Sequence, residues 1–131
     1  MGELFSEEWI NLLKDLWNVN EDISGKLAEI NFCSTITCGF KNEKLPTCVF
    51  VVQNGIAISA GLYQGEKADW DMRAEKNSWN KWRDKSLGIT GMGIAVATGQ
   101  LQFKKGDFKT MFKNPSMTGP FIKSFALMTQ I

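Results

Sequence analysis

Residues 47–63 read TCVFVVQNGIAISAGLY and decide the fold, because they predict an antiparallel β-hairpin. Asn54 and Gly55 suit a two-residue type I′ turn, in which both positions need a positive φ. Direct pairing across that turn sets Val51 opposite Ile58, which makes one face of the hairpin aliphatic. The other face carries small residues that leave room for a helix or a ligand, namely Ala57, Ser59 and Gly61.

Period-two alternation of apolar residues predicts three further strands, at 32–40, 68–74 and 100–104. In the second of these strands Trp70 faces a core, whereas Asp69 and Asp71 are expected in solvent. Short turns between successive strands favour a mostly antiparallel sheet.

Apolar residues at helical spacing predict helices before, between and after the strands. Ser6 is the expected N-cap of the first helix, and Asp107 is the expected cap of a later one. Pro120 suits the first turn of a terminal helix, and residues 89–98 predict a short buried helix. The order of elements predicts an α+β fold: one domain, residues 1–131, with a five-stranded, mostly antiparallel sheet covered by helices on one face.

The charge of the chain argues against nucleic acid as a partner. The formal net charge is only +1, so the chain as a whole produces little field. A local basic group stands near the C-terminal end. It fits either a solvated surface or contact with an anionic head group or an anionic membrane surface, and it comprises Lys104, Lys105, Lys109 and Lys113.

No residue pattern predicts an enzyme, a metal site or a bound cofactor. The chain has no histidine, which removes the commonest general base and the familiar catalytic triads. Gly91 and Gly93 lack the rest of a dinucleotide-binding fingerprint. Cys33, Cys38 and Cys48 fit no zinc or redox motif and are expected to be buried and reduced, which favours a cytoplasmic location. No secretory segment or membrane span is predicted.

Three stretches of the sequence resemble small prokaryotic members of the sterol carrier protein 2 family. They are residues 4–9 (LFSEEW), residues 65–72 (GEKADWDM) and residues 98–107 (TGQLQFKKGD). Their order matches the family over nearly the whole chain. The chain departs from the family in the glycines of residues 88–98, and at Gln100, where the family more often has lysine.

The resemblance implies a five-stranded sheet and helices that enclose an apolar tunnel for fatty acids, acyl-CoAs or sterols. We therefore expect a non-catalytic carrier of a hydrophobic small molecule. The alternative is an accessory or structural subunit that docks its apolar helices on a partner enzyme. Positions carried over from the family predict a cavity wall of large apolar side chains: Trp79, Trp82, Met92, Ile94, Phe103, Phe108, Met111, Phe112, Phe121, Phe125 and Met128.

Overall fold

Five strands form one sheet in the computed structural model, which describes residues 3–131. The spatial order is β3-β2-β1-β4-β5. The central pair, β1 and β4, is parallel, and every other neighbouring pair is antiparallel. This confirms the predicted α+β fold with a mostly antiparallel sheet. The strands are β1 (Ser34–Phe40), β2 (Cys48–Gln53), β3 (Ile56–Leu62), β4 (Trp70–Ala74) and β5 (Leu101–Lys105).

Helices precede β1, follow β4 and follow β5, in the predicted order. Their bounds are α1 (Glu7–Val19), a π-helical turn (Glu21–Gly25), α2 (Lys26–Glu29), α3 (Lys76–Asp84), α4 (Ile89–Ala97), α5 (Phe108–Phe112), α6 (Pro115–Leu127) and a 3-10 turn (Met128–Gln130).

Two helix caps agree with the sequence, and one predicted helix start is wrong. Ser6 Oγ accepts a hydrogen bond from the Trp9 N–H at 3.2 Å, and Asp107 caps α5 through the Thr110 N–H. The terminal helix begins at Pro115, not near Pro120. The side chain of Asn114 caps the helix, and Pro115 fits its first position, where a missing N–H costs nothing. Pro120 instead lies inside α6, where it is buried.

The hairpin turn is as predicted, but its register is not. Asn54 has a φ of 49° and Gly55 a φ of 83°, as a type I′ turn requires. Val51 pairs with Ser59 instead of Ile58, because a β-bulge adds one residue to β3. The bulge keeps polar Ser59 on the outer face and sets Ala60 opposite Phe50 on the inner face.

Helix α1 covers the edge strand β3 by pairing with its backbone. The Asn18 side chain donates to the Ala57 carbonyl at 2.9 Å and accepts from the Ala57 N–H at 2.8 Å. The Trp17 Nε1–H donates to the Gly55 carbonyl at 2.9 Å. These bonds satisfy polar groups that an edge strand otherwise exposes. They also hold the apolar side of α1 against the sheet.

The opposite face of the sheet contains a buried ion pair, which corrects the expectation that Asp71 is in solvent. Asp71 is 8% exposed and Arg73 is 1% exposed. Arg73 donates from Nε to Asp71 Oδ1 at 2.7 Å, and its other nitrogens reach Asp71 Oδ2 and the carbonyls of Phe40 and Glu43. The loop after β1 thus folds over this side of the sheet. Asp69 does remain exposed, where it accepts from the Thr35 N–H.

Candidate ligand-binding cavity

An apolar cavity of about 90 Å³ lies between the inner face of the sheet and the helices. Alternation along the strands determines which side chains of the sheet reach it. The helices contribute aromatic, aliphatic and methionine side chains. The lining comprises Phe5, Trp9, Ile10, Leu13, Trp17, Leu27, Phe32, Ile36, Cys38, Cys48, Phe50, Trp70, Met72, Trp79, Phe103, Met111, Met117, Phe121, Ser124, Phe125 and Met128.

One part of the lining is fully buried and consists of rings in mutual contact. Phe5 meets Trp9 and Trp79 edge to face, with ring centroids 5.5 Å and 5.0 Å apart. Trp79 stacks on Phe125 at 6.1 Å. These four residues, which we name the inner ring cluster, are each at most 3% exposed. Edge-to-face contacts add to the stabilisation from burial and fix ring positions.

A second group of rings is half-buried. The Phe103 ring contacts three others. Its centroid lies 5.9 Å from that of Trp70, 5.0 Å from that of Phe108 and 6.1 Å from that of Phe121. We name these four residues the outer ring cluster; all but Phe108 line the cavity. Phe121 also contacts Phe125 at 5.2 Å, which joins the two clusters.

A glycine turn supports the outer ring cluster. Gly106 has a φ of 101°, and a β-carbon at this position would collide with the Trp70 ring. The chain between β5 and α5 therefore packs its backbone directly on Trp70. Only glycine meets both requirements.

The cavity wall carries almost no polar character. No acidic or basic side chain lines it among residues 3–131. The Ser124 hydroxyl donates to the Phe121 carbonyl at 2.6 Å, so its hydrogen is already engaged. Burial raises the pKa of the Cys48 thiol well above its ordinary value, and the adjacent Cys38 raises it further, so the thiol stays neutral near pH 7. The wall is suited to contact with apolar groups.

Six predicted wall residues line the cavity. Trp79 and Phe125 belong to the inner ring cluster, and Phe103 and Phe121 belong to the outer one. The remaining two are flexible side chains near the C-terminal end, Met111 and Met128.

The other five predicted wall residues lie outside the lining. Trp82 is buried behind Trp79, with ring centroids 5.3 Å apart. Met92 is also buried, while Phe108 and Phe112 are half-buried and stack on each other at 4.8 Å. Ile94 is 56% exposed, so its predicted place in the wall is wrong.

The sequence of helix α4 does not indicate which of its faces is exposed. The helix itself is present, but it buries Met92 and Ala95 and exposes Ile89 and Ile94. Its residues are nearly all small or apolar, so they carry no periodic contrast between an inner and an outer face.

The N-terminal segment contributes to the cavity in a way that the sequence did not predict. Trp9, Ile10, Leu13 and Trp17 on α1 line it, together with Phe5 just before the helix. The apolar stripe of α1 was the available signal. That stripe predicts a buried helix face, but it does not distinguish a cavity wall from ordinary core.

The four predicted surface lysines are all exposed and border the outer ring cluster in sequence. Lys104 and Lys105 follow Phe103 at the end of β5. Lys109 lies in α5 and Lys113 at its end, on either side of Met111. The same chain segment therefore lines the cavity with apolar side chains and presents amines to solvent.

Residues 3–131 contain neither a candidate metal centre nor a candidate membrane-spanning helix. No group of three or more His, Cys, Asp or Glu side chains is arranged to hold a metal ion. No helix in that range is long and apolar enough to cross a membrane.

Comparison with solved structures identifies the fold. A sterol carrier protein 2 crystal structure aligns with 94% of this chain and 97% of its own, at 18% identity and a TM-score of 0.71. The chain has the sterol carrier protein 2 fold. A conserved hypothetical protein of Thermus thermophilus, described as possibly a sterol carrier protein, aligns over 96% of this chain and 90% of its own, at 18% identity and a TM-score of 0.62.

A third structure, titled UbiJ-SCP2 ubiquinone synthesis protein, aligns with 92% of this chain and 88% of its own, at 14% identity and a TM-score of 0.58. No protein-family model and no curated protein sequence matches the chain. At these identities the likeness establishes the sterol carrier protein 2 fold, and function must be argued from the cavity.

Proposed function

We propose that this protein is a non-catalytic carrier that holds a lipid-like molecule in its apolar cavity. The candidate ligands are a fatty acid, an acyl-CoA, or a sterol-like or aromatic hydrophobe. The observation that carries the proposal is the wall itself, in which no charged side chain of residues 3–131 takes part. Such a site binds by removing apolar surface from water, worth about 25 cal/mol per Å².

Loading a long chain requires the wall to move. A volume of about 90 Å³ is smaller than an engineered cavity of about 150 Å³ that binds benzene. Met111, Met117 and Met128 line the cavity. Unbranched methionine side chains adjust their shape at low cost. We therefore assign the adjustable part of the wall to α5, α6 and the turn that follows.

The exposed lysines supply the second part of the proposal. Lys104, Lys105, Lys109 and Lys113 are exposed and adjoin the half-buried rings in sequence, so we propose that they meet an anionic head group or an anionic membrane surface. Each lysine near such a surface contributes roughly 1 kcal/mol, and salt weakens the effect. Ligand exchange with a membrane would then take place next to the outer ring cluster.

We also propose a cytoplasmic location. Cys33, Cys38 and Cys48 are all free thiols, a state that a reducing compartment maintains. Cys33 is exposed and lies outside the strands, contrary to the expectation of burial.

A second candidate function is that of an accessory subunit bound to a partner enzyme. Helix α4 favours this alternative, because Ile89 is 58% exposed and Ile94 is 56% exposed on its outer side. Apolar residues on the outside of one helix suit a protein interface. Ligand binding and docking on a partner would use different surfaces.

Tryptophan fluorescence tests the carrier proposal, because Trp9, Trp17 and Trp79 all line the cavity. Titration with a long-chain fatty acid should change the emission saturably, at roughly micromolar affinity. The exchange Ile94→Ala on the outside of α4 should leave that affinity unchanged. Native mass spectrometry of protein purified without detergent should show bound lipid. A lipid-free protein whose emission responds to no acyl chain, sterol or aromatic compound would contradict the proposal.

A further inference from the structure

The inner ring cluster contains a hydrogen-bond donor without a partner. Trp9 is 1% exposed, and its buried Nε1–H meets no acceptor among residues 3–131. Two other buried tryptophans of the wall differ from it. Trp17 Nε1 donates to the Gly55 carbonyl and Trp79 Nε1 donates to the Gly39 carbonyl, each at 2.9 Å. Buried N–H groups are nearly always paired, so the exception at Trp9 points to an acceptor that the chain does not supply.

The surroundings of Trp9 favour an uncharged acceptor. The lining contains no charged side chain in the described part of the chain. An ionised group inside it would lose its hydration without a counter-charge. The nearby Arg83 places its guanidinium carbon 6.0 Å from the centre of the Trp9 ring, but it does not line the cavity. Its Nη2 donates to the Ile131 carbonyl, while its buried Nε also meets no acceptor among residues 3–131.

We infer that Trp9 Nε1 donates a hydrogen bond to a neutral oxygen on the buried part of the ligand. This inference rests on the proposed carrier function and ranks its ligands: a molecule with a ketone, alcohol, ester or ether oxygen beside Trp9 should bind more tightly than one with only hydrocarbon there. A pure hydrocarbon leaves the buried donor unpaired, whereas a ligand with one such oxygen satisfies it. Trp9 is then a residue that determines specificity within an otherwise apolar wall.

Acetophenone and ethylbenzene test the inference, because they have nearly the same shape and differ by one carbonyl oxygen. Binding is followed by titration of the ¹⁵N-labelled protein, with the indole N–H signals recorded by NMR. The Trp9 signal, assigned by its loss in Trp9→Phe, should move downfield with acetophenone and not with ethylbenzene. The Trp9→Phe exchange keeps a ring and removes the donor, so it should lower the ratio of acetophenone affinity to ethylbenzene affinity roughly threefold to tenfold.

Trp17→Phe is the matched control. Its ring also lines the cavity, but its donor is already engaged with the Gly55 carbonyl, so the relative affinity for the two compounds should match that of the original protein.

An equal loss for both compounds in Trp9→Phe would overturn the inference and assign Trp9 to packing alone. An unmoved Trp9 signal on acetophenone binding would also overturn it, since the N–H would then face the Phe5 ring 5.5 Å away. No binding of either compound would contradict the inference as well. The carrier function would then be decided separately by the fatty-acid titration.

Discussion

The inner and outer ring clusters are built from the same residue types but differ in how they are held. Trp79 of the inner cluster is anchored by a hydrogen bond to the Gly39 carbonyl, and its neighbours are fully buried. The rings of the outer cluster are half-buried, a glycine turn packs on one of them, and exposed lysines follow them in sequence. Aromatic content alone therefore does not identify a binding site. Burial and anchoring distinguish a rigid wall from an adjustable one.

The largest expected effect concerns truncation of one ring in each cluster. Phe125→Ala should reduce the free energy of unfolding by about 3–5 kcal/mol, as in a packed core, because Phe125 contacts Trp79, Trp82 and Phe121. Phe121→Ala removes a half-buried ring and should cost roughly half as much. Urea denaturation of both variants measures the difference. Equal losses would remove the distinction between the clusters.

The glycine turn offers a test of how the outer cluster is supported. Gly106→Ala forces a positive φ on alanine and drives its β-carbon into the Trp70 ring, so it should destabilise the fold by roughly 1–3 kcal/mol and shift Trp70 emission. Gly93→Ala in α4 is the control, because its added β-carbon meets open space and alanine favours the helix by about 0.5–1 kcal/mol. A Gly106→Ala protein as stable as the original would mean that the turn does not hold Trp70.

The buried Cys48 thiol of the cavity wall should make the free energy of unfolding depend on alkaline pH. Burial holds the pKa of the Cys48 thiol above its ordinary value, so the folded chain keeps a proton that the unfolded chain loses. The contribution of this thiol to the free energy of unfolding is fully present below the ordinary thiol pKa, about 8.5. It falls by about 1.4 kcal/mol per pH unit above that value, until the folded thiol also ionises.

Urea denaturation at a series of pH values checks this dependence. Cys48→Ala should flatten the alkaline decline relative to the original protein. Cys33→Ala, at an exposed thiol, should leave the decline as it was. If Cys48→Ala leaves the same slope, the burial argument for this thiol fails.

The smallest expected effect concerns the four exposed lysines that adjoin the outer ring cluster in sequence. A single exchange such as Lys104→Gln should weaken binding to anionic vesicles about fivefold at low salt, corresponding to roughly 1 kcal/mol. Lys44→Gln, at an exposed lysine of the loop after β1, should change binding little. Co-sedimentation with vesicles of anionic and neutral lipid measures both. The same affinity in all variants, independent of salt, would assign these lysines to an ordinary solvated surface.

Local chemistry explains which parts of this fold could be predicted from the sequence. Asn54-Gly55 specifies its turn and Ser6 its helix cap, because both depend only on neighbouring residues. The bulge in β3 and the burial of Arg73 depend on elements distant in sequence. In the first case α1 pairs with the strand, and in the second a loop supplies carbonyl acceptors.

The candidate site was only partly predictable for the same reason. The resemblance predicts wall residues in the C-terminal half, where Phe121 and Phe125 do line the cavity. Trp9 and Trp17 reach the cavity only because α1 is fixed against the edge of the sheet. Exposure of Ile94 could not be read from a helix without periodic contrast.

The central claim is that an acyl chain enters the cavity beside the outer cluster and extends to the inner one. The most direct measurement is NMR relaxation of the indole N–H signals during titration with fatty acids that carry a nitroxide either near the carboxyl group or near the methyl end. We expect saturable broadening of the Trp70 signal by the first label and of the Trp9 and Trp79 signals by the second. Broadening that never saturates, or that is identical for both labels, would contradict the claim.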